Sequence, residues 1–193
     1  MSEKVKNLLL VGVGGQGILL ASEILSETFM LAGYDVKKSE IHGMSQRGGS
    51  VVSHVRYGQE VFSPIVPEGE GDLLFGFELM ETYRCLPLLK PGATVVANDL
   101  RIPPPSVLTG RESYPEGIAE RIRELFPDFV LIDGDKLASD AGNRRAANTV
   151  LLGAVSRRLD IAEDYWLQAL DKMVPRKALE INRKAFLLGR EFC

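Results

Sequence analysis

Gly12-Val13-Gly14-Gly15-Gln16-Gly17 carries the spacing G-x-G-x-x-G, directly after an apolar run and at the head of a helical pattern. In that context the first glycine permits a tight turn and the second lets a ligand's backbone approach. The helix that follows offers unpaired N–H donors to an anion. A dinucleotide-binding unit also needs an acidic residue about 20 residues further on to hold a ribose, and Glu40 stands where one is required. The same glycines could instead serve only the packing of the helix on its sheet, with Glu40 part of a loop that has its own purpose. Gln16, an amide between Gly15 and Gly17, could fill the room left for a ligand or donate to a partner.

The run Glu40-Ile41-His42-Gly43-Met44-Ser45-Gln46-Arg47-Gly48-Gly49 is the most unusual in the chain. Gly43, Gly48 and Gly49 allow positive φ or close approach, and Arg47 presents a forked cation that suits a phosphate or a carboxylate. Contact with a partner chain is the reading favoured here, ahead of contact with a small molecule. The bland alternative is a strained surface turn in which Arg47 pairs locally and His42 is a structural hydrogen-bonder.

Gly76, Glu78, Asn98, Asp99, Asp133 and Asp135 fall at expected carboxyl ends of strands, the edge where open α/β sheets hold ligands. Taken singly, each reads better as a helix cap or turn residue. His54 is expected to be solvated on its strand. No serine lies in a G-x-S-x-G elbow and no Walker signature is present.

The bulk composition narrows the classes. The 193 residues are 45% hydrophobic and 25% charged, with a formal net charge of -3. That is ordinary globular usage without a basic field for nucleic acid. The longest apolar runs, Leu8 to Val11 and Thr149 to Val155, are far shorter than the roughly 20 residues that span a bilayer. Met1 to Asn7 lacks an apolar signal segment, so a cytoplasmic location is expected. Cys85 and Cys193 cannot supply the roughly four thiolates of an iron–sulfur cluster, and adding His42 and His54 does not make a zinc site. No metal is expected on this chain.

An alternating α/β scaffold must position these groups. Lys6 to Val11 reads as a strand buried on both faces, because its apolar run is continuous and glycines follow at once. Ile18, Ala21, Leu25, Phe29 and Ala32 recur at helical spacing and predict a helix from Gln16 to near Gly33. Tyr34 to Ser39 follows as a strand across a right-handed crossover. Glu40 to Ser50 then reads as a polar loop and Val51 to Tyr57 as a strand. Gly58-Gln59 is expected to turn that strand back to a hairpin partner at Val61-Phe62.

Asp72 to Phe77 predicts a strand, Glu78 to about Leu89 a helix, and Ala93 to Ala97 another strand after Pro91-Gly92. The prolines within Ile102 to Ser106 make an exposed connector. A helix from Pro115 to Phe126 and a strand from Phe129 to Ile132 come next. Asn148 to Leu159, Ala162 to Met173 and Arg176 to Gly189 close the chain as helices. The expected fold is a Rossmann-like three-layer α/β sheet with a helical C-terminal segment, as one domain over residues 1–193.

Val11 to Gly17, the loop from Glu40 to Val51, and Asn148-Thr149-Val150-Leu151-Leu152-Gly153-Ala154 resemble the gamma domain of 2-oxoacid:ferredoxin oxidoreductases, across almost the whole chain. His42 to Gly49 and Glu180-Ile181-Asn182-Arg183-Lys184-Ala185-Phe186 look most like the beta subunit of the indolepyruvate type. Pyruvate and 2-oxoglutarate relatives usually carry other residues before Arg-Gly-Gly. The resemblance implies a small, cofactor-free subunit of a complex that converts a 2-oxoacid and coenzyme A to an acyl-CoA and CO2, sending electrons through iron–sulfur clusters to ferredoxin. Thiamine diphosphate, magnesium and 4Fe–4S clusters are implied on a large partner subunit.

The resemblance further implies that this domain packs on the thiamine-binding subunit and lines the approach of coenzyme A or the 2-oxoacid, with Gln46 and Arg47 in the interface. The isolated chain should be inert, and its uncovered apolar patch could drive homodimers. Three alternatives stay open: a free-standing NAD(P)-dependent Rossmann oxidoreductase, a gamma subunit for pyruvate or 2-oxoglutarate, and an interaction or regulatory module that kept the fold.

Overall fold

The computed structural model describes residues 5–42 and 49–193. A strand as apolar as Leu8 to Val11 must be covered on both faces and paired on both edges. β1 (Lys6–Val13) accordingly has β3 (Ser50–Gly58) antiparallel on one side and β4 (Gly71–Gly76) parallel on the other. β2 (Asp35–His42) pairs with the far edge of β3, while β5 (Leu89–Asn98) and β6 (Phe129–Ile132) extend the parallel half. The six strands run in the order β2-β3-β1-β4-β5-β6.

In chain order the helices are α1 (Ile18–Leu31), α2 (Leu79–Arg84), α3 (Pro105–Leu108), α4 (Ile118–Leu125), α5 (Gly134–Ala141), α6 (Ala147–Ser156), α7 (Glu163–Met173) and α8 (Leu179–Phe192). α1, α5, α6, α7 and α8 fill one face of the sheet with Ile24, Leu25, Phe29, Val150, Leu151, Trp166 and Phe186, all buried. Each such side chain contributes about 1.5–3 kcal/mol by leaving water. Trp166 is fully buried between the rings of Phe29, at 6.2 Å, and Phe186, at 5.9 Å. α6 and α8 cross so closely that a Cβ on Gly153 would lie 2.0 Å from the Phe186 carbonyl oxygen. The other face holds a smaller core under α2 and α4, built on Leu9, Leu74, Val95, Leu79 and Ile122. The three-layer α/β sheet and the helical C-terminal segment are as expected.

Several local expectations are corrected. Glu40 to Ser50 is not one loop, because β2 continues to His42 and β3 starts at Ser50. The partner of β3 is therefore β2, and Val61-Phe62 forms no strand. Both edges of β3 are already taken by β1 and β2, and Pro64 and Pro67 in the following segment cannot donate to a ladder. The helix expected from Glu78 to Leu89 stops at Arg84. Pro87 forces a 3-10 turn at Leu86–Leu88, and β5 begins at once. α4 starts at Ile118 rather than Pro115, with Gly117 in the left-handed region as its cap. α5, which the sequence reading missed, is short and capped by Asp133, whose carboxylate accepts the Lys136 N–H at 2.9 Å.

Candidate functional site

Two of the motifs legible in the sequence meet at the carboxyl edge of β1. The strand ends at Val13, and the chain turns through Gly14, Gly15 and Gln16 into α1, with Gly17 at φ 76° as its N-cap. The Gln16 amide folds back into this turn. Its Oε1 accepts the Val13 N–H at 2.7 Å, and its Nε2 donates to the Phe77 carbonyl at 2.9 Å. The Gln16 backbone N–H donates to the Val13 carbonyl at 3.1 Å, and the Gly14 N–H donates to the Gly49 carbonyl at 2.8 Å. Asn148, at the start of α6, donates its Nδ2 to the Gln16 carbonyl at 2.5 Å.

The first glycine is required by this arrangement. A Cβ on Gly12 would stand 2.6 Å from Gln16 Oε1 and 2.8 Å from Phe77 Cβ. The Gln16 side chain fills the inside of the turn, and the N–H groups of Val13, Gly14 and Gln16 are spent internally, which leaves fewer donors for an anion.

Glu40 is half-buried on the α1 side of β2 and accepts the Ser22 hydroxyl at 3.3 Å. In the common dinucleotide order β2 lies next to β1, whereas here β3 lies between them. Glu40 is thereby set one further strand, about 4.8 Å, from the glycine turn. Both displacements weigh against the nicotinamide reading.

The structure thus brings Gly12, Gly14, Gly15, Gln16 and Gly17 together with Gly49, and leaves Glu40 and Asn98 apart from them. Gln46, Arg47 and Gly48 lie outside the described residues, and His42 is described only as the last residue of β2. Asn98 is buried, and its Oδ1 accepts the Gly134 N–H at 3.0 Å, tying the start of α5 to the end of β5. Asn148 carries the tie between the glycine turn and α6, a role that spacing could not reveal because its partner is a backbone carbonyl far away in sequence.

Glu78 is the cap the sequence suggested, and more. Fully buried, its carboxylate accepts from the Glu81 N–H at 2.8 Å, the Ile102 N–H at 3.1 Å and the Tyr114 hydroxyl at 2.6 Å. Burial and the adjacent Glu78 push the Tyr114 phenol well above its ordinary value, so it stays a donor. One carboxylate thus pins the proline-rich connector to α2.

His54 corrects the expectation of a solvated side chain. It is buried, its Nδ1 accepts the Val66 N–H at 3.1 Å, and burial lowers its pKa. Burial pushes the Cys85 thiol up to about 11, which removes it as a nucleophile near neutral pH.

A cavity of about 630 Å³ opens at the other end of the sheet, between the starts of β1, β4 and β5 and the α6–α7 turn. Two of its three cations are engaged, Lys90 with Asp72 and Arg158 with Asp128. The glycine turn takes no part in it, so we place the candidate site by chemistry at the carboxyl edge.

Residues 7–192 match the family model described as pyruvate ferredoxin/flavodoxin oxidoreductase. Indolepyruvate oxidoreductase subunit IorB of Pyrococcus horikoshii is 41% identical over 96% of this chain and 95% of its own length. The subunit of the same name from Methanothermobacter thermautotrophicus is 34% identical over 95% of each. The pyruvate/ketoisovalerate oxidoreductases common subunit gamma of Thermococcus litoralis is 25% identical over 91% of this chain and 92% of its own.

In fold, the chain is similar to the keto/oxoacid ferredoxin oxidoreductase gamma subunit of Geobacter sulfurreducens, with a TM-score of 0.72, 24% identity and 97% of each chain covered. It is also similar to part of the 2-oxoglutarate:ferredoxin oxidoreductase of Magnetococcus marinus, with a TM-score of 0.73 and 22% identity, covering 98% of this chain and 31% of that one. A glycine turn closed by its own glutamine and tied to α6 is thus found in a chain that belongs to the pyruvate ferredoxin/flavodoxin oxidoreductase family.

Proposed function

We propose that this chain, acting as one unit over residues 1–193, is the small subunit of a cytoplasmic indolepyruvate-type 2-oxoacid:ferredoxin oxidoreductase, and that it works by assembly with a large subunit. The observation that carries this reading is Gln16 seated in the glycine turn. A Rossmann-like element whose glycine turn is cross-braced by its own side chain, with three of its N–H groups already bonded, is better suited to packing and positioning than to holding a dinucleotide.

Two cysteines cannot supply the roughly four thiolates of an iron–sulfur cluster. Among the described residues no three His, Cys, Asp or Glu side chains converge as a metal site, and the two cysteines are far apart in sequence, one of them a buried thiol. We assign the clusters, thiamine diphosphate and its magnesium ion to the large subunit, with ferredoxin as the electron acceptor of the complex. On this chain Gln46 and Arg47, between β2 and β3 in the sequence, would face the large subunit beside the approach of coenzyme A or the 2-oxoacid, where a forked cation suits a phosphate or carboxylate.

The test is co-expression with a candidate large subunit, purification through a tag on this chain, and an assay of 2-oxoacid- and coenzyme A-dependent dye reduction. A brown complex that prefers arylpyruvates is expected. A pyruvate or 2-oxoglutarate preference would move the chain to the gamma subunits for those acids. A colourless, inactive chain whose melting temperature rises with a nicotinamide cofactor would overturn the reading, since a ligand bound only to the native state stabilises it. Within an active complex, Arg47→Ala should impair assembly or turnover while this subunit stays folded.

A further inference from the structure

On the face of the sheet carrying α2 and α4, those helices lie over β1, β4, β5 and β6. Beyond them the outer strands receive different cover. The register places Ile41 opposite Val52, Ser39 opposite His54 and Lys37 opposite Arg56, so these side chains share that face. Residues 59–70 cross it instead of a helix, and their backbone is clamped by side chains of β2 and β3. Asp35 Oδ2 accepts the Val61 N–H at 2.8 Å, and His54 Nδ1 accepts the Val66 N–H at 3.1 Å. Arg56 donates to the carbonyls of Ser63 and Ile65, at 2.9 and 3.1 Å. Val61 and Val66 are buried, and Pro64 and Pro67 stiffen the path between and beyond them.

What this framework holds up is Phe62, 87% exposed, with Ile65 at 43% and, at the end of β2, Ile41 at 52%. A chain gains nothing in its own stability from fixing an aromatic ring in water. Pre-ordering the ring lowers the entropy lost when it enters a pocket.

Resting on the subunit reading above, we propose that this helix-free face, with Phe62 as its anchor, is the docking surface for the large subunit, and that it enters an apolar pocket rimmed by basic residues. The 59–70 segment carries Glu60, Glu68 and Glu70 and no lysine or arginine, which calls for a basic rim on the partner. The same charges disfavour a second copy of this chain, because a two-fold contact would set the acidic segment against itself. Ile41 stands one residue before the end of β2 and shares this face with Phe62's segment. The fold also recurs as 31% of a longer chain.

The experiment measures the affinity of the tagged chain for the large subunit, beside the melting temperature and oligomeric state of the chain alone. Phe62→Ser is expected to weaken association about 30-fold or more, the scale of an interface hot spot, with the melting temperature unchanged. Leu108→Ser, at a residue 73% exposed at the end of α3, should leave affinity unchanged. The combined variant Glu60→Gln, Glu68→Gln and Glu70→Gln should slow association at low salt.

If wild type binds and Phe62→Ser and Phe62→Asp bind equally well, the docking surface is refuted while the subunit reading stands. If Phe62→Ser instead only turns a dimer of the isolated chain into a monomer, the surface belongs to a second copy and the inference is overturned. If wild type captures no large subunit, the subunit reading fails and takes the inference with it.

Discussion

The two faces of the sheet are finished differently. On one, α1 and α5 to α8 close over a core that runs from Leu8 to Phe186, and helices meet at backbone contact through Gly153 and Gly189. On the other, α2 and α4 cover only part of the sheet, and the rest receives residues 59–70, held by polar clamps and carrying an exposed phenylalanine. The first face is built to satisfy itself. The second has its backbone satisfied and its apolar side chains left over, which suits a subunit whose core is completed by another chain.

Four experiments probe that contrast. The largest effect should come from Gly153→Ala. The added methyl would press on the Phe186 carbonyl oxygen at 2.0 Å and on the Arg190 backbone nitrogen at 3.0 Å. Overpacking of this kind costs about 1–3 kcal/mol or more, and each kcal/mol should lower the melting temperature of a chain this size by roughly 2–4 °C. A wild-type melting curve would show that the helical layer is looser than described.

Gln16→Leu comes next. It deletes the acceptor of the Val13 N–H and the donor to the Phe77 carbonyl, and leaving buried backbone groups unpaired costs about 1–3 kcal/mol. Calorimetry of the variant, with and without a nicotinamide cofactor, should find a less stable chain that still ignores the cofactor. Cofactor binding by the variant would mean that the glutamine alone had closed the site.

Acid tests the second face. Burial lowers the His54 pKa in the folded chain, so the folded state binds that proton less readily than the unfolded one. The His54 contribution is therefore complete above the ordinary imidazole value and is lost as pH falls through it to the folded value. Protonation also sets an N–H against the Val66 N–H. Amide exchange at Val66, corrected for its intrinsic rate, should speed up between neutral and mildly acid pH, while amides of α6 hold. Equal protection at both pH values would remove His54 as a clamp.

The smallest effect is the sharpest for the comparison. Phe62→Ser should shift the stability of the isolated chain by no more than about 0.5 kcal/mol, as at an ordinary surface position. A larger loss would place Phe62 in this chain's own core.

Much of this scaffold was legible because buried parallel strands read as continuous apolar runs. Leu8 to Val11 and Leu73 to Phe75 could be placed without knowing their neighbours, and so could Phe129 to Ile132, although that edge strand is only partly buried. α1 was equally plain from the spacing of Ile18, Ala21, Leu25 and Phe29. The β2–β3 pairing was not, since the glycines and polar residues of the 40–50 run mask two strand ends, and which edge is free depends on strand order, a global property. α5 escaped because eight residues with little apolar content carry a weak period.

At the site, the glycine spacing announced a tight turn but not its occupant. Only three dimensions reveal that Gln16 Oε1 stands where a Cβ on Gly12 would press, and that Asn148 ties the turn to α6. His54 misled for a related reason: its neighbour across the face is a loop amide, which strand alternation cannot supply.

The burial of Trp166 has a practical consequence. It is the only tryptophan in the chain, and it lies within the closed helical face, walled by Phe29 and Phe186. Excited near 295 nm, the protein would fluoresce from that single buried point, so the emission should track melting of the helical layer and stay silent to events around Phe62. The chain therefore carries a built-in optical control, by which a substitution that unfolds the molecule can be separated from one that merely strips it of a companion.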